Sequence, residues 1–304
     1  MENLITVAVI QCRSEPGCKS DNLKGAEELI QKAQREKVDI ALLPELFASG
    51  YIPNGDIKSY GETEEGEILL WLCKQAKKSG LYLGGGLAIY SMQDLYNRYY
   101  IIGPRGKILG FAQKKNGEAY CFKRGVGKHF ISTPIGKLAI GICGDNHYSD
   151  IISQFQNRDI DLLLMPHAWP NMDKCDMDEK TFTLLVNKIL GVPTIFVNPV
   201  GKMGPMKGIL GILLNRSGAF LRGRSCIIQA DGQVSAALGS EPDIAIAEIK
   251  TYDRKSSNIS VPNYQGMIHP GSFILRRLII PLDLFFGKWF YKKQIRLKID
   301  SIEQ

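Results

Sequence analysis

Short apolar runs that end at a turn or a reactive side chain recur along this chain, and they constrain its fold more than any other feature. Ile5–Cys12, Val38–Leu43, Leu138–Ile142, Asp161–Met165 and Val192–Val197 are too short for ordinary helices and read as buried strands. Amphipathic segments alternate with them. Asp21–Lys37 places Leu23, Ala26, Leu29, Ile30 and Ala33 at helical spacing, and a helix from Thr63 carries Ile68, Leu69, Leu72, Cys73 and Ala76 before Gly80 stops it. Ser149–Asn157 and Asp176–Leu190 read as further helices. Leu81–Tyr90, Asn97–Gly103, Ile108–Lys114, Ser225–Gln229, Gln233–Leu238 and Asp243–Ile249 read as strands. Helix, strand, strand, helix stands on each side of Cys143. This predicts an α/β domain with helices outside and mixed sheets inside.

Bulk composition excludes several function classes. The 304 residues are 44% hydrophobic and 23% charged, as in ordinary globular chains. The net charge of +7 gathers into basic runs with aromatics only in the last fifty or so residues, so nucleic acid is not an expected partner. The seven cysteines are scattered without a C-x-x-C pair, which argues against a disulfide framework or a zinc site and for a reducing, cytoplasmic compartment. The opening Met-Glu-Asn-Leu-Ile-Thr-Val lacks the basic region of a signal peptide, and no apolar run is long enough to span a bilayer.

Three reactive side chains stand at strand ends, where α/β sheets bind ligands. Glu45 follows Leu42-Leu43-Pro44, and partial desolvation there would make it a proton carrier; an exposed loop glutamate fits equally well. Lys114 ends Ile108–Lys114, as an oxyanion-holding cation or a solvated surface lysine. Cys143 closes Leu138–Ile142 before Gly144, whose missing side chain lets the backbone approach a bound molecule; the alternative is a buried structural thiol. Together, base, cation and thiol make an acyl-transfer set, in which the positive charge would lower the thiol pKa.

The order and surroundings of these residues resemble the carbon–nitrogen hydrolase (nitrilase) superfamily. Pro44-Glu45-Leu46-Phe47-Ala48-Ser49-Gly50-Tyr51, Gly110-Phe111-Ala112-Gln113-Lys114 with Glu118, Phe122 and Gly125, and Gly141-Ile142-Cys143-Gly144-Asp145 are similar to its three catalytic motifs. Asp161–Trp169 resembles its pocket strand, and Val197–Gly201, Gly223-Arg224-Ser225 and Asp231-Gly232 resemble later markers. The resemblance implies an αββα sandwich of two mixed β-sheets with outer helices, the nitrilase-like fold, over residues 1–250. It implies Cys143 as nucleophile, Glu45 as general base, Lys114 and the Gly144 N–H as oxyanion donors, Glu118 as the residue orienting Lys114, and no metal or cofactor. Tyr51, Gly144, Asp145, His167 and Trp169 are the expected substrate contacts. The expected activity is hydrolysis of a small-molecule amide to carboxylate and ammonia through a thioester. N-carbamoyl amidohydrolase, nitrilase, N-acyltransferase and a non-catalytic scaffold are alternatives. Gly144-Asp145 stands where true nitrilases of the superfamily have Trp-Glu, which favours the amide-hydrolysing branches. Gln113, Asn116, His147, Tyr148-Ser149-Asp150 and His167 depart from the usual pattern and bear on substrate.

Residues 251–304 change character. Leu282, Phe285, Phe286, Trp289 and Phe290 share one face, with Lys288, Lys292, Arg296 and Lys298 around them, and Pro281 should break a helix. The segment reads as a C-terminal arm burying that stripe against its own domain or a partner subunit in a homodimer or larger oligomer. The alternative is a basic amphipathic segment, residues 272–298, lying on an anionic membrane surface.

Overall fold

The computed structural model describes residues 3–126, 129–171, 178–216, 218–251, 259–270 and 275–296. Cys175, the expected helix start at Asp176, and Lys298 lie outside these residues. Strands β1–β5 are Asn3–Gln11, Ile40–Leu42, Tyr82–Ser91, Asp94–Ile102 and Ile108–Gln113; β6–β9 are Phe130–Thr133, Gly136–Ile140, Leu162–Pro166 and Thr194–Val197. Strands β10–β14 are Val200–Lys202, Phe220–Arg222, Cys226–Ile228, Val234–Ala237 and Asp243–Thr251. Helices α1–α6 are Lys19–Arg35, Glu67–Ser79, Ser149–Gln156, Glu179–Leu190, Gly208–Arg216 and Ile280–Gln294.

Two six-stranded mixed sheets, ordered β14-β1-β2-β3-β4-β5 and β13-β12-β9-β8-β7-β6, lie between outer helices, as the apolar runs predict. Alternation along each strand explains why those runs carry almost no polar residue. In β1, Val7 and Val9 point inward and pack with Ile40, Leu42, Leu138, Ile140, Leu162 and Leu164 between the sheets. The intervening Ala8 and Ile10 point outward, against Ala26 and Ile30 of α1 and Leu69 and Leu72 of α2. In β8, Leu162 and Leu164 face the other sheet, while Leu163 and Met165 meet Ile151 and Phe155 of α3 and Phe182 and Val186 of α4. Strands β1, β2 and β3 run parallel, as do β7, β8 and β9, so the carboxyl ends of β2 and β7 each deliver a loop to a shared edge of the sandwich.

The C-terminal segment departs from expectation in two ways. Pro281 does not break the helix. It sits in the first turn of α6, directly after a π-helical turn over Leu275–Ile279, whose wider winding accommodates the missing N–H. The apolar stripe also divides: Phe290 packs against the domain, its ring 5.8 Å from that of Tyr120, and the rest does not. The face α6 turns inward carries Gly287 and Tyr291: a Cβ on Gly287 would lie 2.8 Å from that of Ala119, and the Tyr291 hydroxyl accepts the Leu95 N–H at 2.8 Å. Leu282, Phe285, Phe286 and Trp289 face outward. No helix among the described residues is long and apolar enough to cross a membrane.

Candidate active site

Glu45 lies just beyond β2, on a loop that crosses β3 so closely that a Cβ on Gly86 would come within 2.7 Å of the Glu45 Cα. Only glycine fits there without moving backbone. Leu46, the next residue, holds φ at +51°, a left-handed conformation that a branched side chain rarely adopts. Glu45 Oε1 accepts from Lys114 Nζ at 2.7 Å and from Asn97 Nδ2 of β4 at 2.6 Å. Its Oε2 is buried and has no hydrogen-bond partner among the described residues. Lys114, one residue beyond β5, also donates to both oxygens of Glu118 at 3.0 and 3.1 Å, and the Tyr51 hydroxyl donates to Glu118 Oε1 at 2.6 Å.

One ammonium thus serves two buried carboxylates, and their environments separate them. Burial raises the Glu45 pKa, with the Lys114 charge opposing it and the Glu118 charge adding to it. Burial acts on Glu118 in the same sense, but Lys114 and the Tyr51 hydroxyl outweigh it and hold that carboxyl below its usual range. Burial works to neutralise Lys114, and the two carboxylates overcome it, holding the ammonium well above the ordinary lysine range. A carboxyl pushed up beside one pushed down is the arrangement that divides proton carrier from fixed anion.

Cys143 opens a 3-10 turn, Cys143–His147, just after β7. Its φ of +45° is strained for a side chain bearing Cβ, and strain of this kind persists only where the surroundings enforce it. Asn146 Nδ2 donates to the Gly141 carbonyl at 2.7 Å, bracing the turn, and the Ala168 N–H bonds the Cys143 sulfur. Asp145 accepts the N–H groups of Lys115 at 3.1 Å and Asn116 at 2.6 Å, tying the turn to the loop that carries Lys114. The thiol lies within electrostatic reach of Glu45, Lys114 and Glu118. Its pKa is raised, chiefly by burial and then by Glu45, with Lys114 too weak to reverse the sign. The lysine lowers the thiol pKa as expected, but burial and Glu45 outweigh it.

Two adjoining cavities open beside this cluster, one of about 320 Å³ lined by Asn116, Glu118, Gly144, His147, Lys207 and Leu284 among others, and one of about 600 Å³ lined by Lys114, Glu118, Tyr148 and Lys288 among others. Gly144 packs so tightly that a Cβ would lie 2.7 Å from the Asn116 carbonyl oxygen.

The carbon–nitrogen hydrolase family model matches residues 6–256. The chain belongs to the carbon–nitrogen hydrolase family. Among sequence relatives of this carbon–nitrogen hydrolase, the 2-oxoglutaramate amidase of Bacillus subtilis is 26% identical over 268 residues, covering 86% of this chain and 97% of its own. The omega-amidase of Danio rerio is 30% identical over 164 residues, half of this chain, and the match spans only 59% of that relative's length. Among solved structures, an amidase of Nesterenkonia sp. AN1, captured with the acetamide moiety of fluoroacetamide on its active-site cysteine, superposes with a TM-score of 0.69 at 20% identity, covering 82% of this chain and 92% of its own. A nitrilase-superfamily protein of Saccharomyces cerevisiae gives 0.68 at 21% identity, covering 81% and 89%. These likenesses share the αββα sandwich.

The structure of this carbon–nitrogen hydrolase brings Glu45, Lys114, Glu118 and Cys143 into one cluster, and sorts the expected substrate contacts. Gly144 lines the smaller cavity. Tyr51 is occupied with Glu118. Asp145 and His167 are fully buried and lie behind the turn: Asp145 holds backbone N–H groups, and His167 Nε2 sits 3.1 Å from Asn146 Nδ2 between Trp169 and Phe196. Both brace the nucleophile turn, and His167 Nδ1 is buried with no hydrogen-bond partner among the described residues. Trp169 is buried and fixed by Asn198, which accepts its N–H at 2.7 Å. His147 lines the smaller cavity, stacked on Phe182 at 4.2 Å and 2.9 Å from His269; burial, then His269, brings its pKa down to about 3. Asn97, Asn146, Lys207 and His269 escaped the reading of the sequence. Asn97 left one signal there: an amide inside an apolar strand needs a partner.

Proposed function

We propose that this protein hydrolyses a small carboxamide to carboxylate and ammonia with Cys143 as nucleophile. The unpaired, buried Oε2 of Glu45, in a carboxyl already bound to Lys114, is the observation that carries the reading. That oxygen takes the thiol proton as sulfur attacks the amide carbon. The tetrahedral oxyanion is held by the Lys114 ammonium and the Gly144 N–H. Collapse breaks the C–N bond, and the proton on Glu45 passes to the departing nitrogen, which leaves as ammonia. Glu45 then takes a proton from water, the hydroxide attacks the thioester, and the carboxylic acid departs as sulfur regains its proton. Glu118, kept anionic, fixes the Lys114 ammonium between the two carboxylates.

The Bacillus relative is named for 2-oxoglutaramate, so that amide heads the panel. An ammonia-release screen over ω-amides, N-carbamoyl compounds and nitriles, repeated with added amines to detect acyl transfer, tests the proposal. Activity on a carboxamide that disappears in Cys143→Ala supports it. Turnover that survives Cys143→Ala refutes it.

A further inference from the structure

The outward face of α6 has a definite composition. Leu282, Phe285, Phe286 and Trp289 are 40%, 69%, 50% and 57% exposed, and Leu278 of the preceding turn is 56% exposed. At about 100° per residue these five fall within an arc of about 100°, opposite the anchoring Gly287 and Tyr291. The Phe285 and Phe286 rings meet edge to face at 5.5 Å, and the Lys293 ammonium lies 4.3 Å from the centre of the Trp289 ring. On the same winding, Lys292 and then Lys288 stand beside one edge of the arc, at the rim of the cavity of about 600 Å³. Asp283, the one carboxylate of the helix, is engaged elsewhere, accepting the Ile209 N–H of α5 at 2.7 Å. α5, packed beside α6, exposes Ile209 and Ile212 as well.

We propose that α6 docks this protein on an anionic membrane surface, its aromatic and leucine side chains entering the headgroup boundary and Lys288, Lys292 and Lys293 pairing with lipid phosphates. A ring-bearing apolar strip edged by lysines matches the two layers of such a surface, hydrocarbon below and negative charge above. A second copy fits less well. Twofold pairing sets the patch against itself, which brings the three lysines of one chain toward those of the other with no carboxylate on the patch to offset them. Docking also has a geometric consequence. Ile280, Asp283 and Leu284, from the first turn of α6, line the same cavity as Glu118 and Gly144. The cavity mouth therefore lies within about one helix diameter, ~10 Å, of the lipid plane.

The test is sedimentation of the full chain with vesicles of phosphatidylglycerol and phosphatidylcholine, and with phosphatidylcholine alone, at low and high salt. Pelleting with the anionic vesicles and release by salt are expected. Lys288→Ala/Lys292→Ala/Lys293→Ala should weaken partitioning on the order of a hundredfold, at the usual contribution of each lysine near an anionic surface. Phe285→Ser/Trp289→Ser should abolish it while keeping the parent's thermal unfolding midpoint, because both positions are exposed. Failure to pellet with anionic vesicles at low salt overturns the proposal. So does undiminished pelleting of the Phe285/Trp289 variant. A dimer by light scattering that this variant dissociates, with no vesicle binding by the parent, assigns the face to a second copy and overturns it as well.

Discussion

Asn97→Ala removes one of the two donors to Glu45 Oε1 and leaves the other, Lys114 Nζ at 2.7 Å. A hydrogen bond to a charged acceptor contributes about 1.5–3 kcal/mol, and the remaining ammonium places this one near the lower end. The Asn97 bond favours the ionised carboxylate, so its loss raises a Glu45 pKa that burial already holds high. At ~1.4 kcal/mol per pH unit, the acid limb of the kcat/KM profile should move upward by about one unit. Below the limb, kcat/KM should fall about tenfold; above it, where Glu45 is ionised in either protein, the two should converge. The assay is initial-rate ammonia release across pH, with thermal unfolding as a check on the fold. An equal loss at every pH, with the limb unmoved, would show that Asn97 only packs the site and would refute the argument.

Other substitutions probe the surrounding frame. Gly86→Ala puts a methyl 2.7 Å from the Glu45 Cα and should cost about 1–3 kcal/mol of stability together with most of the activity, read by thermal unfolding and turnover. His147 and His167 are held neutral by burial, so the unfolded chain binds more protons than the folded one below the ordinary histidine pKa. Their contribution is complete above about pH 6.5 and is lost as pH falls, by ~1.4 kcal/mol per unit for each residue down to its folded pKa. His147→Asn should flatten the fall of the melting temperature between pH 6.5 and 4; an unchanged slope would contradict this.

Much of the architecture could be read from the residues because the sandwich buries both faces of its central strands. Val7 and Val9 meet one layer and Ala8 and Ile10 the other, so β1 admits almost no polar residue and stands out as a run. The three-residue strands β10 and β11 are too short to carry such a run, and the non-polar Gly208–Leu214 of α5 is broken by two glycines that hide its helical character; all three were missed. The cluster of Glu45, Lys114 and Cys143 was legible through motif order. The sign of the thiol shift was not, since it depends on how burial and Glu45 compare with Lys114 in space. Periodicity likewise found the apolar stripe of α6 without saying which side meets the domain. That choice is set by Gly287, whose missing side chain alone lets the helix approach Ala119.

The most direct test of the central claim is mass spectrometry of the enzyme quenched in acid during turnover of its best amide. The account predicts a mass increase equal to the acyl group, on the peptide bearing Cys143, that disappears as substrate is consumed. An acyl group carried by any other residue during turnover would contradict it.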